Sequence, residues 1–204
     1  MKSPAKIQLS ALEMELVKNA GWILTKNEIL QKAKHLFETL QAKQQLFQQS
    51  APACLPAVIM KTLPKISKGE NYRGLPYLVL DHPRYFDKEN IFAIRTLFWW
   101  GNFFSITLHL SGVYKTDLED RIINAYSFLR RNNFSYCVHH SQWEHHFEKD
   151  NYISIGSLDK KEWEILIRNR AFIKLAQKIP LESWTDVPKI LLTRYRQIIT
   201  MLNT

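Results

Sequence analysis

The chain contains few glycines and almost no cysteine. Six glycines in 204 residues leave little room for flexible linkers or for the glycine-rich loops that bind phosphates and dinucleotides. Two cysteines, Cys54 and Cys137, are too few for a disulfide framework, so we expect a reducing compartment. The first residues include lysine but not the apolar core of a signal peptide. The sequence therefore predicts a cytoplasmic protein.

Familiar catalytic motifs and a membrane span are also missing from the sequence. The chain has neither the G-x-S-x-G of serine hydrolases nor the H-E-x-x-H of zinc hydrolases. An uncharged stretch at 96–114 approaches the roughly 20 residues that a helix needs to cross a bilayer. It contains Gly101-Asn102 and alternating polar residues, which favour a buried hairpin. We expect no contact with a membrane.

Apolar periodicity and turn residues divide the chain into helical ends and a strand-rich middle. The expected regions are a helical segment 1–50, a proline-rich connector 51–76, a sheet with helices 77–158, and C-terminal helices 159–204. The length suits one domain. The sequence predicts a single α+β domain, in which a small antiparallel sheet with the hairpin 91–110 at its centre is packed by N- and C-terminal helices.

Capping boxes indicate where helices should begin. In a capping box, a Ser or Thr and the Glu three residues later each bind the other's free backbone N–H. The form occurs at 25–28, 116–119 and 141–144, and predicts a helix after each. Helical spacing of apolar residues also continues over 159–178 and 188–202.

The central hairpin predicts the faces of the sheet. A two-residue turn at Gly101-Asn102 would place Trp100 opposite Phe103. In that register Arg95 lies on an otherwise apolar face that packs against helices, where a guanidinium needs a carboxylate partner. We expect a structural ion pair between Arg95 and Asp81, with Asp87 as the second candidate partner. The alternative is that Arg95 lies near the sheet edge and reaches water along its apolar stem.

The other face of the hairpin combines aromatic rings with hydroxyl and imidazole groups. Ligand pockets are mostly apolar with a few convergent polar groups, so this face could line one. It could equally be the half-solvated face of an ordinary antiparallel sheet. The candidate ligand-binding residues are Phe98, Thr96, Thr107, His109 and His139.

Six of the seven histidines lie between His82 and His146. Histidine titrates near neutrality and binds metals, so this region is the candidate for catalysis. The candidate catalytic residues are His82, His109, His139, His140 and Glu144. Their spacing matches no zinc motif, so we predict no metal site; His139, His140 and Glu144 are the residues that would come closest to one. Hydrogen-bonding or surface histidines are the simpler interpretation.

The net charge of +9 is concentrated in the flanking segments. Basic helices could bind nucleic acid, although lysines that merely solvate helix surfaces are the favoured interpretation. The basic candidates are Lys160, Lys161, Arg168, Arg170, Lys174, Arg194 and Arg196.

Three functions are compatible with these patterns. The leading hypothesis is a non-catalytic domain that binds a small molecule or another protein. The alternative is a metal-assisted hydrolase that uses the histidine-rich centre, and the third is nucleic-acid binding through the basic flanking helices. The sequence identifies neither a cofactor nor a ligand.

Overall fold

The structure, a computed structural model, describes residues 7–50 and 55–203. Over these residues the chain forms seven α-helices and one seven-stranded antiparallel sheet, which confirms the predicted α+β class. The helices are α1 (Ala11–Lys18), α2 (Ala20–Ser50), α3 (Ala57–Met60), α4 (Val113–Asn124), α5 (Tyr126–Arg131), α6 (Lys160–Arg168) and α7 (Val187–Met201). No helix in the described ranges is long and apolar enough to cross a membrane.

The strands run in the order β1-β2-β3-β4-β7-β5-β6 across the sheet. They are β1 (Lys65–Tyr72), β2 (Leu75–Phe86), β3 (Ile91–Trp99), β4 (Phe103–Ser111), β5 (Ser135–Cys137), β6 (Tyr152–Ser154) and β7 (Phe172–Pro180). The hairpin β3–β4 therefore lies in the interior of the sheet, where the sequence placed it.

The register predicted for this hairpin is wrong by one residue. Trp99, not Trp100, lies opposite Phe103. The turn has three residues, because the N–H of Asn102 donates to the carbonyl of Trp99 at 3.1 Å and Gly101 takes a φ of 68°. Glycine reaches this left-handed region without steric cost. Since side chains alternate between faces, the shift moves every side chain of one strand to the other side relative to its expected partners.

The face of the sheet that packs against the helices is therefore different from the expected one. Phe98 faces Phe104, and Thr96 faces Ile106. These residues belong to the main apolar core together with buried residues of α2, α4 and α7, except that Thr96 contributes a hydroxyl. Arg95 lies on the opposite face, beside Thr107. The expectation that Arg95 packs towards the helices is wrong.

Two strands were not predicted. β1 lies in the segment expected to be an irregular connector. β7 lies in the segment expected to continue the helix that begins after Asp159. That helix, α6, ends at Arg168. Seven of the nine residues of β7 are buried, and they include Lys174 and Gln177, so the strand lacks the strict alternation of apolar and polar residues that would distinguish it from a buried helix.

The capping-box patterns were poor guides to helix starts. Thr25 lies inside α2 and Thr116 inside α4, while residues 141–144 form no helix. Complete capping boxes occur instead at Ser10 with Glu13 and at Asp159 with Glu162.

Candidate functional site

The polar face of the sheet is covered by residues 138–151, which we term the histidine loop. This segment connects β5 to β6 without regular structure apart from turns. Its Gln142 Oε1 lies 2.9 Å from His109 Nε2 on β4. The ring of Phe147 contacts that of Phe103, with centroids 5.2 Å apart. Trp143 is half exposed.

Arg95 and Asp81 form the ion pair expected from the sequence, although on the other face. Arg95 Nε donates to Asp81 Oδ1 at 2.8 Å, and Nη2 donates to Oδ2 at 2.9 Å. The two residues are directly opposite each other on β3 and β2. A bidentate contact between largely buried side chains provides geometric specificity as well as charge compensation. The pair therefore has a structural role.

Lys174 of β7 attaches the histidine loop to the sheet through two hydrogen bonds. It lies on β7 opposite His109 and is 1% exposed. Its ammonium donates to the carbonyl of Gln142 at 3.1 Å and to the carbonyl of Glu144. Burial lowers the pKa of Lys174 to about 8 and that of His109 to about 3. His109 is therefore neutral at physiological pH, and its environment suits a hydrogen bond better than proton transfer.

Tyr72 of β1 holds the other end of the loop. Its hydroxyl donates to Glu144 Oε2 at 2.9 Å and accepts the backbone N–H groups of His145 and His146 at 2.7 and 3.0 Å. Burial lowers the pKa of His145 well below its ordinary value. Glu144 is thus used in a side-chain contact rather than in a helix cap, which accounts for the missing helix at 141–144.

The candidate ligand-binding residues do not form one site. Thr107 and His109 lie on the polar face, whereas Phe98 and Thr96 lie on the helix-packed face. His139 lies in the histidine loop, where its Nδ1 accepts the backbone N–H of Ser141 at 3.0 Å. The one-residue register error had combined residues from the two faces.

The candidate catalytic residues are separated in the same way. His82 packs on the helix side of the sheet, where its ring stacks on Tyr195 of α7 with centroids 6.3 Å apart. His109 lies on the opposite side. His139 and His140 are neighbours, with ring centroids 4.2 Å apart. Among the described residues, none of the five predicted catalytic residues belongs to a group of three side chains whose ligand atoms lie within 4.8 Å of one another.

A different trio comes closest to a metal-binding arrangement. One ligand atom from each of His146, Glu148 and Asp150 lies within 4.8 Å of the others. Arg73 already pairs with Glu148, with Nη1 at 3.1 Å from both carboxylate oxygens. This guanidinium offsets the negative charge that would attract a cation.

The two cysteines do not supply a nucleophile in the described part of the chain. Cys137 is fully buried, and its thiol donates to Asn151 Oδ1 at 3.2 Å. Burial raises the pKa of this thiol, which is the wrong direction for a reactive thiolate. Cys54 lies outside the described residues.

Several of the basic candidates for nucleic-acid binding already have protein partners. Lys174 is buried, as described above. Arg168 pairs with Glu119, Asp120 and Glu164 at 3.0 to 3.4 Å. These contacts reduce the positive charge available to phosphates.

Most of the exposed large apolar side chains of the described residues lie at residues 7–24, which we term the N-terminal arm. Nine large apolar side chains of this segment are 41 to 81% exposed: Ile7, Leu9, Leu12, Met14, Leu16, Val17, Trp22, Ile23 and Leu24. No residue of α1 is buried. Between α1 and the start of α2 is a groove of about 410 Å³, lined mainly by Leu16, Val17, Trp22 and Ile23. The expected helical segment 1–50 includes α1, but the sequence did not predict that the apolar residues of α1 would remain exposed.

Comparisons of the chain with models of protein families, with curated proteins and with solved structures found no match.

Proposed function

We propose that the chain is a non-catalytic protein-interaction domain whose N-terminal arm pairs with the arm of a second copy. The observation that carries the proposal is the run of nine exposed apolar side chains in residues 7–24. Monomeric proteins rarely expose contiguous apolar patches of this kind, and larger patches mark interaction sites.

The arm needs a partner to account for its helical structure. α1 has eight residues, and none of them is buried. Isolated helices shorter than about 12 residues are marginal in water, and most helices in proteins are stabilised by packing an apolar face. Burial of the arm against another surface would supply that stabilisation.

A second copy is a suitable partner because the arm contains both exposed apolar side chains and an apolar groove that could receive them. Leu9 and Leu12 protrude from the first turns of the arm, and the groove lined by Leu16, Val17 and Trp22 lies at its other end. In a two-fold contact, residue i of one copy meets residue j of the other and the reverse, so the protruding part of each arm can fill the groove of its partner. In such a two-fold contact the two arms run antiparallel. The acidic residues of α1 in one copy then approach the basic residue at the C-terminal end of α1 in the other copy.

The test is the concentration dependence of the molar mass, measured by sedimentation equilibrium. We expect a dimer in the micromolar range and a monomer for Val17→Asp, because Val17 is 69% exposed and its change cannot disturb the core. Burying a valine contributes about 1.5 kcal/mol or more, and the contact occurs twice, so dissociation should increase on the order of 100-fold. The matched control is Leu46→Asp, an exposed helical position outside the arm (66% exposed).

Two outcomes would overturn the proposal. One is a wild-type protein that remains monomeric throughout the concentration range. The other is a dimer that Val17→Asp leaves intact. Binding of the wild-type monomer to phospholipid vesicles, lost in Val17→Asp, would assign the arm to a membrane surface instead.

The metal-assisted hydrolase has weaker support. It needs three of the predicted side chains in one cleft, and His82 and His109 lie on opposite sides of the sheet. Elemental analysis of untagged protein, compared with His146→Ala, would restore this alternative if stoichiometric metal were present and lost in the variant.

A further inference from the structure

A small polar cavity lies between α2, the segment after α3, and β2. Its volume is about 170 Å³. Gln48 of α2 and His82 of β2 both line it, and they are 7% and 2% exposed. Gln44, one helical turn before Gln48 on the same face of α2, is 1% exposed. The other described lining residues are Gln45, Gln49, Met60, Lys61, Thr62 and Leu63.

Buried polar atoms of two residues that line this cavity, Gln48 and His82, lack hydrogen-bond partners among the described residues. Among the described residues, nothing pairs with Gln48 Nε2 or with either ring nitrogen of His82, and the amide nitrogen and oxygen of Gln44 are also unpaired. More than nine in ten buried polar groups in proteins are paired, and each exception requires an explanation. Two such side chains line one cavity, Gln48 and His82, and they indicate a place where a polar ligand completes the hydrogen bonds.

The described lining residues supply several donors and include no carboxylate. Lys61 is the one charged residue among the lining residues described. Gln48 offers its amide N–H groups, and burial lowers the pKa of His82 to about 4, so that its neutral ring offers one N–H near pH 7. The neighbouring Arg84 donates its Nε–H to the carbonyl of Leu63 at 3.0 Å. Donors without an acidic neighbour are suited to an anionic oxygen ligand.

We propose that this cavity binds a small carboxylate, with Gln48 and His82 donating to its oxygens and Lys61 supplying charge at the mouth. A cavity of about 150 Å³ holds a molecule of the size of benzene, so the ligand should have roughly six non-hydrogen atoms. This site is independent of the N-terminal arm and goes beyond protein pairing. Metabolites that carry one carboxylate on a short chain belong to this class.

The test is titration of ¹⁵N-labelled protein with acetate, propionate, lactate and pyruvate, each compared with its primary amide. We expect at least one carboxylate to shift the side-chain NH₂ signals of Gln48 and the ring signals of His82 with saturation. Loss of a hydrogen bond to a charged group weakens binding roughly 10- to 100-fold, so Gln48→Met should show that loss. The primary amides should bind the wild-type protein at least as weakly as the carboxylates bind Gln48→Met.

The control variant is Gln31→Met, which makes the same change at an exposed position of α2. It should bind as the wild type does. His82→Phe provides a second variant that keeps a planar ring against Tyr195 while removing both nitrogens. Binding that survives Gln48→Met and His82→Phe would overturn the site, and so would the absence of any saturable shift with all four acids. Equal binding of the amides would overturn the assignment to carboxylates.

Discussion

Replacing Gln44 with methionine should stabilise the fold. Gln44 is 1% exposed, and neither its amide nitrogen nor its amide oxygen has a partner among the described residues. An unpaired buried polar group costs about 1–3 kcal/mol in proteins. Methionine has nearly the same length and helix propensity as glutamine, so the variant removes this cost with little change in packing. The free energy of unfolding should therefore rise by about 1–3 kcal/mol.

The expected change is large enough to measure in two ways. In a protein of this length, 1 kcal/mol corresponds to roughly 2–4 °C in Tm. Urea unfolding, followed by tryptophan fluorescence at fixed pH and protein concentration, gives the free energy directly. Equal protein concentration matters because any dimer contributes to apparent stability.

Gln31→Met is the control for this experiment as well, because Gln31 is exposed on the same helix. Its effect should stay within about 0.5 kcal/mol. A Gln44→Met variant that loses stability while the control does not would show that the amide makes favourable hydrogen bonds in the folded protein. That result would refute the argument that Gln44 is kept at a cost in stability.

Two further predictions concern the polar face of the sheet. The pKa of His109 is about 3, below its ordinary value, so the unfolded chain takes up a proton near pH 6.5 before the folded chain does, and stability falls as pH falls. His109→Gln should remove about 2 kcal/mol of the difference in unfolding free energy between pH 7.5 and pH 5; an unchanged pH dependence would contradict this. Arg95→Met should lower the free energy of unfolding by about 3–5 kcal/mol, because Asp81 is left buried without its partner. The double variant with Asp81→Leu and Arg95→Met should lose much less than the sum of the two single losses. Additive losses in this double-mutant cycle would contradict the prediction.

The α+β class and the interior hairpin could be predicted because they depend on local signals. The β-rich runs on either side of Gly101 indicate two strands joined by a tight turn, whatever the type of that turn. The register could not be predicted, because it depends on which backbone N–H closes the turn. Two- and three-residue turns both suit Gly101-Asn102, and they place Arg95 on opposite faces.

The candidate site was harder to predict because its parts come from distant segments. The segment that forms β7 was expected to be helical. The contact between Lys174 and the histidine loop was therefore not predicted. The Arg95–Asp81 pair was foreseeable, since a guanidinium between apolar neighbours needs a carboxylate wherever the strand faces. No sequence signal predicted that Gln48 and His82 line one cavity, because a glutamine-rich helix end looks like a solvated surface.

The conspicuous histidine cluster and the inconspicuous glutamines differ in how completely their hydrogen bonds are made. Around the histidine loop, Lys174, Tyr72 and Arg95 all have partners, so these groups fasten a loop to a sheet. By contrast, Gln48 Nε2 and both ring nitrogens of His82 are buried and have no partner within the part of the chain that the structure describes, so their loss of hydration is uncompensated. Selection for stability alone would replace such groups with apolar ones. Unpaired polar atoms at a cavity are therefore a stronger indication of ligand binding than a cluster of titratable residues whose hydrogen bonds are already complete.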